Sequence, residues 1–98
     1  MEMFMVEIGL PYYKDEEFMA LIPRQREQIG TLLQTGILLS FSLNQDRTKI
    51  WIVMAAQNED AALKVLEQLA LFKFMDLDLQ SLMAFDRGTF SLPPLVMN

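Results

Sequence analysis

The chain has 98 residues, 52% of them apolar and 21% charged, which describes one globular domain and excludes a disordered one. Its 13 acidic side chains outnumber its 8 cationic ones, and the net charge of −5 argues against nucleic acid or an anionic membrane as a partner, since both need basic patches. It contains no cysteine and no histidine, which excludes disulfides, thiolate nucleophiles and serines activated by an imidazole.

The opening MEMFMVEIGL carries Glu2 and Glu7 where a secretion signal needs cations. No apolar run approaches the ~20 residues of a membrane span. The expectation is a soluble cytoplasmic protein. Residues 3–9 read as a strand, with Phe4, Val6 and Ile8 on one side and Met5 and Glu7 on the other. Asp15 caps a helix that starts near Glu16, and Glu16 and Glu17 suit its positive end. Phe18, Ile22, Ile29, Leu32 and Leu33 recur at helical spacing, and Gly36 is a good stop. Pro23 interrupts the hydrogen-bond ladder, so a kink or a restart is expected there.

Residues 37–44 and 49–55 read as two strands of a hairpin around the polar loop Asn44, Gln45, Asp46, Arg47, Thr48. Asn58 caps a second helix that runs to about Leu71, with Glu59 and Asp60 in its first turn. Residues 75–85 read as a fourth strand. The tail, 87–98, carries Phe90, Leu92, Leu95, Val96 and Met97, and is apolar enough to be expected on a neighbouring subunit. The whole chain, 1–98, is one domain. Strand, helix, strand, strand, helix, strand is the split βαβ, ferredoxin-like plan: α+β, two helices on one face of a four-stranded antiparallel sheet.

Alternation sorts the strand residues between two faces. One set is apolar throughout: Phe4, Val6, Ile8, Leu39, Phe41, Leu43, Ile50, Ile52, Met54, Leu77, Leu79, Met83 and Phe85. It is expected beneath the helices. The other set mixes Met5, Leu38, Trp51, Val53 and Leu82 with Glu7, Ser40, Ser42, Asp76, Asp78 and Gln80. A face in water rarely carries so much apolar area, and a dry interface does not tolerate unpaired acids. The expectation is a homodimer with its open faces opposed, the polar positions lining a wet pocket.

The run LALFKFMDLDL, 69–79, resembles the closing run of the muconolactone isomerase family, Leu-Pro-Leu-Phe-Pro-Tyr-Met-Asp-Ile-Glu-Val. Leu69, Leu71, Phe72, Met75 and Asp76 are the same, and Phe74, Leu77, Asp78 and Leu79 are conservative replacements. Element order, length and the glycine closing the first helix agree as well. The resemblance implies a dimeric α+β barrel, built in larger rings of dimers in many members. It also implies a pocket between sheet and helices for a small lactone acid. No cofactor is expected. Ser40, Phe41, Ser42 and Leu43 stand where the family has His-Leu-Trp-Arg, and Trp51 stands at a family tyrosine. The family's charged first-helix residues fall near Arg24, Gln25 and Arg26.

Isomerising such a lactone needs one base of tuned pKa and donors for the developing enolate. Glu7 is the candidate catalytic base, with desolvation expected to raise its pKa; the structural alternative is an ion pair at the dimer contact. Arg26 is a candidate carboxylate holder, or a snorkelling surface arginine. Gln25 falls on the apolar stripe, so it either points into a pocket or is rotated out to water at the proline. Ser40 and Ser42 are candidate ligand donors or mark a close sheet contact, and Trp51 either stacks on a ligand or anchors a dimer. Tyr12 and Tyr13 lie in a loop at a pocket mouth or an edge. Asp76 and Asp78 invite a metal, but without a third ligand in the run no metal site is expected. Three functions stay open: a muconolactone isomerase-like protein binding a small organic acid or lactone with cofactor-free proton transfer; a catalytically silent ligand-binding or assembly module; and a cofactor-free small monooxygenase of the same fold.

Overall fold

A computed structural model describes residues 1–86, and the expected docking of the tail lies outside the described residues. The elements are β1 (Glu2–Gly9), α1 (Glu16–Gln34), β2 (Leu38–Leu43), β3 (Lys49–Ala56), α2 (Glu59–Glu67), a 3-10 turn (Phe72–Phe74) and β4 (Asp76–Leu82). All pairings are antiparallel, in the order β2-β3-β1-β4. This is the ferredoxin-like arrangement expected from the element order. Among the described residues no helix is long and apolar enough to cross a membrane.

Local chemistry accounts for the ends of the elements. The Asp15 carboxylate accepts the Phe18 N–H at 2.9 Å and starts α1. Gly36, at φ +83°, ends it in the left-handed conformation that glycine takes without strain. Between them α1 continues through Pro23 as one helix. Pro23 is exposed, on a side where a carbonyl left without its helical partner can be hydrated. Asn58 caps α2 by accepting the Ala61 N–H at 2.9 Å.

The expected second helix was too long at its end. α2 stops at Glu67, and side chains from α1 take over the backbone groups that follow. Gln28 donates to the Gln68 carbonyl and accepts the Ala70 N–H, both at 2.7 Å, while Gln25 accepts the Leu71 N–H at 3.1 Å. The chain thus leaves the helix without orphaning those atoms.

Two further expectations change at the sheet edges. β2 carries a bulge, with Leu38 opposite Met54 but Ser40 opposite Val53. The extra residue moves Leu38 into the core, 2% exposed, and takes Leu39 out of it, reversing their expected faces. β4 ends at Leu82, opposite Met3, because β1 has nearly run out of partners there. Met83 is therefore fully exposed, and Phe85 lies beyond the strand, half-buried. Leu43, also expected in the core, is exposed at the end of β2, where the sheet runs out beside the hairpin loop. The other strand residues of the apolar set are buried or partly buried against the core, as their alternation requires. Phe4, Val6, Ile8, Ile50, Ile52 and Met54 form one cluster with Ile29 of α1 and Ala62 and Leu66 of α2.

Candidate functional site

The sheet divides the candidate residues into two groups. Glu7, Ser40, Ser42 and Trp51 belong to its open face, while Gln25 and Arg26 belong to a cavity on its helix side.

On the open face β1 pairs Glu7 with Trp51 of β3 and with Asp78 of β4. Glu7 Oε2 accepts from Lys49 Nζ at 2.8 Å, and Oε1 accepts from the Trp51 indole N–H at 3.3 Å. The hydrogen bond from Lys49, then that from Trp51, then the ammonium charge hold this carboxyl below the usual glutamate range. Desolvation acts the other way and is the smallest of these influences, so the direction is opposite to the expected one. Ser40 lies opposite Val53 and Ser42 opposite Trp51. Val53 is only 2% exposed although it stands outside the core cluster, and Met5 beside it is partly open. Asp76 and Asp78 are exposed at the β4 edge. Among the described residues no three His, Cys, Asp or Glu side chains gather as a metal cage.

On the other face α1, the loop before it, the core side of β2 and β3, and Leu71 enclose a cavity of about 390 Å³. Phe18, Ile22, Ile29, Phe41, Ile50 and Leu71 make its wall apolar. Met19, Leu33 and Leu43 line it too and are themselves exposed, which marks its mouth. Phe18 is fixed by an edge-on contact with Phe74, ring centroids 5.2 Å apart, and Lys73 pairs with Glu17 outside it.

Gln25 is the polar side chain in this wall. It lies between Ile22 and Ile29 on the inward stripe of α1 and is 7% exposed. Its Oε1 is occupied by the Leu71 N–H, and its Nε2 has no partner among the described residues. A buried donor without an acceptor costs about 1–3 kcal/mol, which sets this atom apart from the rest of the wall. Three cations line the same cavity: Lys14, Arg26 and Arg47. Lys14 Nζ is held by the Pro11 carbonyl at 2.6 Å. Among the described residues no carboxylate joins them in the lining. Tyr12 and Tyr13 are exposed and lie outside it.

Sequence reasoning missed Lys14, Gly30 and Arg47 as cavity residues. The loop residues carry no local signal, because the hairpin tip meets α1 only in three dimensions. The mid-helix glycine was a usable sign, since glycine is disfavoured there.

No protein-family model matches the chain, and no curated protein matches it. Among solved structures it is similar to muconolactone isomerase, with a TM-score of 0.71 at 21% identity, over 88% of this chain and 93% of that one. An antiparallel sheet in the order β2-β3-β1-β4 beneath two helices, alike over nearly the whole of both chains, gives this protein a muconolactone isomerase-like fold.

Proposed function

We propose that this protein binds a small organic acid or lactone in the cavity between α1 and the sheet. One observation carries the reading: the buried Nε2 of Gln25, unpaired among the described residues, in a largely apolar cavity whose other polar lining residues are the cations Lys14, Arg26 and Arg47. An oxygen acceptor on the ligand would satisfy that donor, an apolar body would fill the remaining wall, and a carboxylate would meet the cations at the mouth. The likeness to muconolactone isomerase supports a small-molecule site on this fold. Proton transfer by Glu7 has less support. Its carboxylate is held in the ionised form by Lys49 and Trp51, and it projects from the face away from the cavity. We therefore favour a binding module over an isomerase that uses Glu7.

We also read the open face as the seat of a second copy, with Trp51, Met5 and Leu82 meeting their counterparts. Supporting this are a tryptophan held in place by Glu7 and a partly exposed Met5 beside it.

Calorimetric titration with aryl carboxylates and γ-lactone acids tests the cavity. Wild type is expected to bind, Gln25→Leu to bind about 3- to 10-fold more weakly, as the loss of one hydrogen bond requires, and Glu7→Gln to bind unchanged. Binding indifferent to Gln25→Leu and abolished by Glu7→Gln would move the site to the open face.

A further inference from the structure

Two residues in the cavity lining break the local rules of the elements that carry them. Gly30 sits inside α1, four residues before its last residue Gln34, where any other residue except proline would be the better helix former. The usual reasons for a helical glycine are absent. Its backbone is not left-handed, and a Cβ built on it meets nothing within 4 Å among the described residues. Arg47 is the converse. It ends the turn closed by its own N–H to the Asn44 carbonyl at 3.1 Å, and its φ of +60° is the left-handed conformation that hairpin loops normally give to glycine or asparagine. A long side chain is strained there. One position thus lacks a side chain that its element favours, and the other carries a side chain that its turn disfavours.

Both residues line the same cavity. On α1, Gly30 is the i+4 neighbour of Arg26 and the i−3 neighbour of Leu33, and both of these also line it. A side chain at position 30 would lean back over the turn carrying Arg26 and narrow the opening beside that cation. The missing side chain leaves a notch in the rim. The Arg47 guanidinium has no hydrogen bond or ion pair among the described residues, so it is available to a ligand.

Resting on the reading of this cavity as a ligand site, we propose that Gly30 and Arg47 select its ligand. The ligand is a monocarboxylate whose apolar body occupies the cavity, whose chain passes over the notch at Gly30, and whose charged end is held by Arg47. Recognition by a guanidinium requires the ionised acid, and a neutral lactone or amide of the same shape forgoes that contact.

The test compares two properties that a merely suboptimal residue would not link. Tm is measured without ligand. Affinity is measured by calorimetry for benzoate, phenylacetate, 3-phenylpropionate and 4-phenylbutyrate, each beside its carboxamide. Gly30→Ala and Arg47→Gly are expected to raise Tm by about 2–6 °C, because both relieve a local penalty. Wild type is expected to prefer the best acid over its amide by about tenfold, and Arg47→Asn, which keeps a residue tolerant of the left-handed turn, to lose that preference. Gly30→Leu is expected to fold with an undiminished Tm and to bind acid and amide alike at least about tenfold more weakly. Wild-type affinity in Gly30→Leu, or an intact acid preference in Arg47→Asn, would overturn the inference and leave the cavity standing as a ligand site. Failure of wild type to bind any of the probes would overturn the cavity reading and this inference with it.

Discussion

The two faces of the sheet treat polar atoms in opposite ways. On the open face Glu7 of β1 is satisfied within the chain, by an ammonium and an indole, and all three side chains keep contact with water. On the helix side the wall is largely apolar, and the amide nitrogen of Gln25 is buried with no hydrogen-bond partner among the described residues. The same two-residue alternation produces both faces. The helices make the difference, because a group that they cover cannot fall back on solvent. A polar atom on the covered side is therefore the stronger pointer to a ligand, even where the open side carries more charge.

This contrast can be broken most severely at adjacent positions of β3. Ile52 is buried beneath the helices, and Ile52→Ala is expected to lower unfolding free energy by about 3–4 kcal/mol, read from urea denaturation. A loss below about 1 kcal/mol would show that the helix side is not the dry core described. Trp51, on the opposite face, is half-buried. Trp51→Ala is expected to cost roughly 1–2 kcal/mol and to remove the concentration dependence of the wild-type Tm, if a second copy covers that face. Sedimentation equilibrium is the independent check, and a wild type that stays monomeric at high concentration rules out the opposed-face dimer.

The smallest effect concerns Glu7. Its folded-state pKa lies below its unfolded one, so its ionised form stabilises the fold above the ordinary glutamate pKa of about 4.3. That stability is lost as pH falls through the depressed folded value. Between pH 6 and pH 3 wild type should lose more stability than Glu7→Gln, and added salt should shrink the gap, because the ion pair with Lys49 is half exposed. Parallel pH profiles for the two proteins would remove the ion pair from the account of the open face.

Much of the fold was legible along the chain. Asp15, Asn58 and Gly36 announced helix ends and are found at them, and the strand alternation placed Phe4, Val6, Ile8, Ile50, Ile52 and Met54 together. Of the site, Gln25 was visible as a polar residue on an apolar stripe, but its direction was not. Glu7 was visible as an acid on a mixed face, but the sign of its pKa shift depended on Lys49, whose strand alternation alone does not bring it to hydrogen-bonding distance. The faces of Leu38 and Leu39 were misjudged because one inserted residue inverts alternation, and no local pattern distinguishes a bulge from a regular strand here.

The order of the elements, their caps and the two-faced strands were decided by the sequence itself, because these depend on contacts within about four residues or on a fixed period. The cavity was decided by tertiary structure. Gln25 meets the Leu71 backbone 46 positions away, and the hairpin carrying Arg47 reaches the helix carrying Gly30 only when the sheet is assembled beneath α1. Such encounters follow from how the helix lies across the strands, and no property of either segment alone contains that geometry.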